Sequence, residues 1–95
     1  MILRDSVLVR DGDLVVAPMG DDLAMMDMQS GSYFVLDKVA AEIWDAIETP
    51  TSVVDICARL RARFDVAADR CEADVIPFLE QLATKKLLRV ADGAV

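Results

Sequence analysis

The residues that could do chemistry in this chain are few, and one common type is absent. The 95-residue sequence contains no histidine, which removes histidine-based acid–base catalysis, Ser-His-Asp triads and histidine-bearing zinc sites. The serines, threonines and cysteines therefore lack their most common activating base. The four glycines are isolated turn residues and form no phosphate-binding loop. We therefore expect a protein that is not an enzyme and that holds no cofactor.

Two groups of side chains still invite a chemical interpretation. Asp69, Glu72 and Asp74 lie close together at the start of a predicted helix, where acidic side chains commonly stabilise the helix dipole. Cys57 and Cys71 are 14 residues apart, outside any Cys-x-x-Cys pair, and fall on apolar helix faces. Cysteines in such positions commonly behave as small hydrophobic residues, and two thiols without further ligands make a poor metal site. We expect structural roles for both groups and no bound metal.

Composition argues against several classes of protein. The 17 acidic and 10 basic residues give a formal charge of −7, which opposes binding to nucleic-acid phosphates and to anionic membranes. No apolar run approaches the roughly 20 residues that span a bilayer, and the N-terminus lacks a signal-peptide pattern. The hydrophobic content of 55% supports one modest core. We expect a single cytoplasmic domain over residues 1–95, with its core at about 5–90, and neither nucleic-acid nor membrane partners.

The N-terminal third has the pattern of an antiparallel sheet. Short apolar runs separated by turns rich in Gly and Asp predict strands at 14–19, 23–28 and 32–36. Pro18 fits the first strand if its ring nitrogen lies at an edge. The apolar run 7–9 is either an extra edge strand or a loosely held arm. The chain is organised around the third strand, whose aromatic and β-branched residues favour a pleated conformation.

From Asp37 onward the apolar period changes from two to about 3.6, which predicts three helices. Asp37 and Ser52 are the predicted N-caps of the first two helices, and Asp69 that of the third. Pro77 lies inside the third helix, so we expect a kink or a later helix start. Residues 87–90 should be a short extended tail, and the last four residues should fray. The sequence therefore predicts an α+β fold with a winged helix-turn-helix-like shape, β-β-β-α-α-α.

A strand edge next to an amphipathic helix allows more than one role. An extended peptide could add a strand to the sheet, with its backbone giving affinity and adjacent pockets reading its side chains. A winged-helix shape also suggests DNA binding. However, residues 70–86 contain three basic and three acidic residues, and this balance makes the third helix a poor recognition helix for DNA. In a purely structural interpretation, the apolar residues of the third strand and the third helix belong to the core and bind nothing. Strand alternation leaves the inward parity open, and we favour Phe34 and Leu36.

Several motifs, in their order and spacing, resemble those of PqqD-like proteins. The run 26–37, Met-Asp-Met-Gln-Ser-Gly-Ser-Tyr-Phe-Val-Leu-Asp, is similar to the family pattern Leu-Asp-x-x-x-Gly-x-Tyr-x-x-Leu-Asn. The pattern continues with Ile43-Trp44, Pro50-Thr51-x-Val53, Asp74-Val75 and Phe78-Leu79-x-x-Leu82. Asp37 stands in place of Asn, and Lys86 stands where Gly is common, so the third helix could run on. The resemblance covers about residues 5–90 and is greatest to the stand-alone members associated with lasso peptide biosynthesis.

This resemblance implies a recognition element for a ribosomally made precursor peptide. Such proteins bind the precursor's leader as a strand added beside the third strand and packed against the third helix, and they do no chemistry themselves. They present the leader to a leader peptidase and a macrolactam synthetase. The alternatives are the peptide chaperone of pyrroloquinoline quinone biosynthesis, whose usual Leu-Leu-x-Pro-Glu run this chain lacks, and a winged-helix DNA-binding regulator.

The residues expected to bind the peptide lie in the third strand and along the third helix. They are Ser32, Tyr33, Phe34, Val35, Leu36, Asp74, Val75, Phe78, Leu79, Leu82 and Lys85. Asp74 and Lys85 are the candidate polar contacts at the rim. We expect Tyr33→Ala or Val75→Asp to weaken leader binding without unfolding the domain. Two exposed edges could also pair to form a homodimer.

Overall fold

The computed structural model describes residues 2–12 and 14–91 of the protein. The elements in chain order are β1 (Val7–Arg10), β2 (Leu14–Met19), β3 (Asp22–Asp27), β4 (Tyr33–Leu36), α1 (Lys38–Ala46), β5 (Thr51–Ser52), α2 (Val53–Arg63), α3 (Ala68–Thr84) and β6 (Leu88–Val90). The predicted α+β fold, a three-stranded antiparallel sheet followed by three helices, is confirmed. The fraying expected for residues 92–95 lies outside the described residues.

The three predicted strands form one antiparallel sheet in the order β2-β3-β4. The two-residue turn between β2 and β3 contains Gly20, whose φ of +65° is a conformation that residues with a Cβ rarely adopt. Met19 and Asp22 form the pair that closes this hairpin. The observed strands agree with the predicted ones to within one residue at each end.

A second, smaller sheet surrounds the N-terminal strand. β1 lies between β5 and β6 and pairs antiparallel with both. The expectation of an edge strand or a loose arm is therefore wrong, because Leu8 in β1 is buried in the core and both edges of β1 are hydrogen-bonded. The extended tail predicted at residues 87–90 is confirmed over Leu88–Val90, which form β6.

The first two helices begin where the sequence predicts. The Asp37 carboxylate accepts a 2.8 Å hydrogen bond from the backbone N–H of Ala40, and the Ser52 hydroxyl accepts one of 3.1 Å from that of Asp55. α3 differs, because Ala67 occupies its N-cap position without a side-chain hydrogen bond and Asp69 lies within the first turn. The prediction of an Asp69 N-cap is wrong.

α3 also continues through Pro77, so the predicted late start is wrong. A proline ring removes one helical hydrogen bond, and burial of Val75 and Leu79 on either side offsets that loss. The helix does not run on beyond Thr84, because Lys86 adopts a φ of +63°. Glycine is favoured in this left-handed conformation after a helix end.

The core lies between the inner face of the β2-β3-β4 sheet, the three helices and the smaller sheet, which contributes Leu8 and Leu88. Trp44 of α1, Ile47 at the C-cap of α1 and Leu79 of α3 are among its buried members. α1 is also joined to α2 by the Glu42 carboxylate, which accepts hydrogen bonds from Arg59 and Arg63. None of the described helices has the length and apolar composition needed to cross a membrane.

The burial of Trp44 makes a prediction about stability. Trp44 is 3% exposed, so Trp44→Ala should lower the free energy of unfolding by about 3–5 kcal/mol. Tyr33→Ala, which removes an aromatic ring that is 57% exposed, should cost far less. Urea unfolding followed by circular dichroism measures both, and equal losses for the two variants would contradict the described core.

Candidate functional site

The free edge of β4 is the first component of the candidate site. Among the described strands, β4 pairs only with β3. The register places Phe34 opposite Met25 and Val35 opposite Ala24. A sheet edge of this kind presents unpaired backbone groups that an extended chain can bind.

Hydrogen-bond alternation shows which backbone groups of β4 face outward. The N–H of Asp27 donates to the carbonyl of Ser32 at 2.8 Å. Every second residue of β3, counted back from Asp27, therefore directs its backbone N–H and C=O groups toward β4. The opposing residues Phe34 and Leu36 are then hydrogen-bonded to β3, whereas Tyr33 and Val35 are in non-hydrogen-bonded pairs. The N–H and C=O groups of Tyr33 and Val35 therefore point to the free edge. Ser32 precedes the strand, and its carbonyl is already bonded.

The opposite edge of the same sheet is less suited to strand addition. Pro18 lies opposite Leu23. By the same alternation, the backbone nitrogen of Pro18 faces the free edge of β2. Proline has no N–H to donate, and an edge proline is a common protection against strand pairing. The expectation that the ring nitrogen of Pro18 lies at a strand edge is therefore confirmed. The free edge of β4 remains the edge of this sheet that is suited to an added strand.

The side chains of β4 alternate between the core and the solvent. Leu36 is buried and Phe34 is half-buried, which confirms the expected inward parity. Tyr33 and Val35 are 57% and 51% exposed on the outer face. The outer face also carries exposed Val15 and Met26, paired with each other in β2 and β3.

A cavity of about 290 Å³ opens where β4 passes into α1. Side chains of α1 and α3 form most of its wall, and Leu60 and Val66 contribute from α2 and the following loop. The lining from α1 and α3 is Val39, Ala40, Ile43, Cys71, Asp74, Val75 and Phe78. Asp37, the cap of α1, also lines it. The cavity is therefore an apolar pocket with two carboxylates, next to the end of the open edge.

The predicted α3 residues differ in how they relate to this pocket. Asp74, Val75 and Phe78 line it, and of these Phe78 is half-buried while Val75 is only 3% exposed. Leu79 and Leu82 are buried in the core and do not line it. Helical periodicity alone could not separate these positions, because the face of α3 that closes the pocket continues into the core.

The charged residues at the two ends of β4 differ. Lys85, at the end of α3, places its Nζ 5.2 Å from the centre of the Phe34 ring. Asp74 lies at the pocket near the other end, where its carboxylate is 3.5 Å from Arg70. α3 therefore runs antiparallel to β4, with an acidic residue near the carboxyl end of the strand and a lysine near its amino end.

The two cysteines lie in the core, and Cys71 also lines the pocket. Both are buried and free, and the Cys71 thiol lies 4.0 Å from the carbonyl oxygen of Cys57. Burial, reinforced by the neighbouring Cys71 thiol, raises the pKa of Cys57 to about 12. Cys57 is therefore a neutral thiol at physiological pH, which is poorly reactive. The expected packing role is confirmed by this burial.

Sequence reasoning missed two features. The α1 wall of the pocket, including Val39 and Ile43, was not among the residues expected to bind the peptide, although its position directly after the third strand was a usable signal. A second cleft of about 340 Å³ lies between β2 and α1, where Arg10 stacks 4.8 Å over the ring of Trp44. It has no lining residue from β4, and charged side chains such as Glu42 line part of it.

The sequence of the chain matches the model of a known family. The family model described as "Coenzyme PQQ synthesis protein D (PqqD)" matches residues 22–88, which is more than half of the chain. The chain therefore belongs to the PqqD family, and the resemblance found in the sequence is confirmed.

A solved structure is also similar to this chain. It is that of TbiB1 in complex with the TbiA(beta) leader peptide, with 30% sequence identity and a TM-score of 0.76. The match covers 92% of this chain and 98% of TbiB1. No curated protein matches the chain.

The burial of Val75 changes one expectation from the sequence. Val75→Asp should lower the free energy of unfolding by about 3 kcal/mol or more, because it buries an unpaired carboxylate. In contrast to the expectation from the sequence, the Val75→Asp substitution should therefore destabilise the fold.

Val54→Asp is the matched control, because Val54 is exposed in the first turn of α2, where an acidic residue suits the helix dipole. Thermal unfolding of the two variants tests this difference. A Val75→Asp protein as stable as Val54→Asp would show that Val75 is not core.

Proposed function

We propose that this protein is a non-catalytic adaptor that binds the leader of a ribosomally made precursor peptide. The leader adds as a fourth strand to the sheet, beside β4 and against α3. In the cytoplasm the adaptor presents the bound leader to lasso peptide enzymes, a leader peptidase and a macrolactam synthetase.

The observation that carries this proposal is the open edge of β4 next to an apolar pocket. The outward N–H and C=O groups of Tyr33 and Val35 supply four backbone hydrogen-bonding groups for an extended peptide. The pocket of about 290 Å³ is large enough for one apolar side chain of that peptide. Backbone pairing contributes affinity, and the pocket contributes sequence preference.

The comparisons support the same role. The chain belongs to the PqqD family, and TbiB1, with 30% identity over nearly the same length, is described in complex with a leader peptide. A leader bound by this chain would occupy the edge that two copies would otherwise use to pair, so leader binding and homodimer formation through β4 exclude each other.

Proline substitutions provide the sharpest test at the edge. Val35→Pro removes an N–H that faces the free edge and leaves the hydrogen bonds between β3 and β4 intact. We expect it to weaken leader binding about tenfold or more, since one hydrogen bond is lost and the ring obstructs the incoming strand. Val16→Pro is the matched control, because the N–H of Val16 faces the free edge of β2.

The assay is an NMR titration of each labelled protein with the leader half of the precursor encoded beside its gene. The wild type and Val16→Pro should show saturable shifts at β4, at the start of α1 and along α3. Absence of wild-type shifts at high peptide excess would contradict the adaptor function for that peptide. Equal weakening by both proline variants would contradict addition at β4.

A further inference from the structure

The space between the free edge of β4 and α3, which we call the groove, has two chemically different ends. At the carboxyl end of β4 the pocket is apolar, with Asp37 and Asp74 among its lining residues. At the amino end the ammonium group of Lys85 lies 5.2 Å from the centre of the Phe34 ring. A peptide bound along this edge therefore meets an apolar pocket at one end and a cation at the other.

The register of β4 determines which peptide residues reach these two ends. A strand added to β4 forms hydrogen-bonded pairs with Tyr33 and Val35, and its residues there point to the outer face, as those side chains do. Its residues opposite Leu36 and Phe34 point inward, toward α3. These two inward residues are separated by one residue of the peptide.

We propose that the leader carries an apolar residue that fills the pocket and, two positions later, an acidic residue that pairs with Lys85. The inference rests on the proposed strand addition and names the leader sequence that it selects. The order assumes an antiparallel leader, as in every other pair of this sheet, because antiparallel pairing is slightly more stable per residue. The residue opposite Leu36 then comes before the residue opposite Phe34.

The charges along the groove favour this order. Lys85 makes no ion pair within the part of the chain that the structure describes, and the face of Phe34 attracts its ammonium group to the position beside the strand. Asp37 and Asp74 would repel an acidic side chain at the pocket end, and Arg70 lies 3.5 Å from the Asp74 carboxylate. An acidic leader residue is therefore stabilised at one end of the groove and not at the other.

Charge reversal on both molecules tests the inference. The probe is a fluorescent synthetic peptide of the same leader, whose anchor is first identified as the apolar residue with NMR contacts to Phe78. Lys85→Glu should weaken binding about two- to fivefold, the range for a partly exposed charge pair. A leader with lysine at the second position after the anchor should recover this loss. Arg61→Glu, the same change of charge on the exposed surface of α2, should have little effect.

The outcomes separate this inference from the proposed function. Failure of the wild type to bind the leader would remove the adaptor function itself. Binding that responds equally to Lys85→Glu and Arg61→Glu would overturn the role of Lys85 and leave the adaptor function standing. Recovery only with lysine two positions before the anchor would overturn the antiparallel order.

Discussion

The alternation of backbone hydrogen bonds along β3 is the constraint on which the rest of the site depends. Each residue of a central antiparallel strand directs both backbone groups to one side, so bonding to β2 and bonding to β4 use alternate residues of β3. The Asp27 to Ser32 hydrogen bond fixes this parity. As a result, the backbone groups of Phe34 and Leu36 bond to β3, and the side chains of these two residues point toward the core. The backbone groups of Tyr33 and Val35 have no partner in β3. The same choice therefore determines the packing of the domain and the composition of its open edge.

The helices convert this edge into a groove. Asp37 ends β4 and caps α1 without an intervening loop, so the first turn of α1 lies at the end of the edge. α1 is held against α2 by the contacts of Glu42 and Asp45 with Arg59. α3 crosses beside them, with Leu79 and Leu82 in the core and Phe78 at the pocket. A rigid scaffold of this kind reduces the entropy lost when an extended peptide binds.

Local signals in the sequence were enough to predict much of this fold. Turns containing Gly20 and Gly31 separate the three short apolar runs that form the strands. The helix caps at Asp37 and Ser52 are also local, because each cap contacts a residue less than four positions away. The position of β1 was not predictable in this way, because its partners are separated from it by more than 40 residues and have no local signal. The start of α3 was also misplaced, since several positions near Asp69 have similar local preferences and packing decided among them. The pocket required the same tertiary information: Val75 and Phe78 lie three residues apart on one helix face, and only the packing of α1 shows which of them remains accessible.

Amide hydrogen exchange measured residue by residue, with and without the leader peptide, tests the central claim most directly. The amides of Tyr33 and Val35 have no partner in the β3 ladder, so leader binding should slow their exchange strongly. The amides of Phe34 and Leu36 are already bonded to β3, and their exchange should change much less. Protection that appears on β2 at Leu14 and Val16, with Tyr33 and Val35 unchanged, would contradict strand addition at β4.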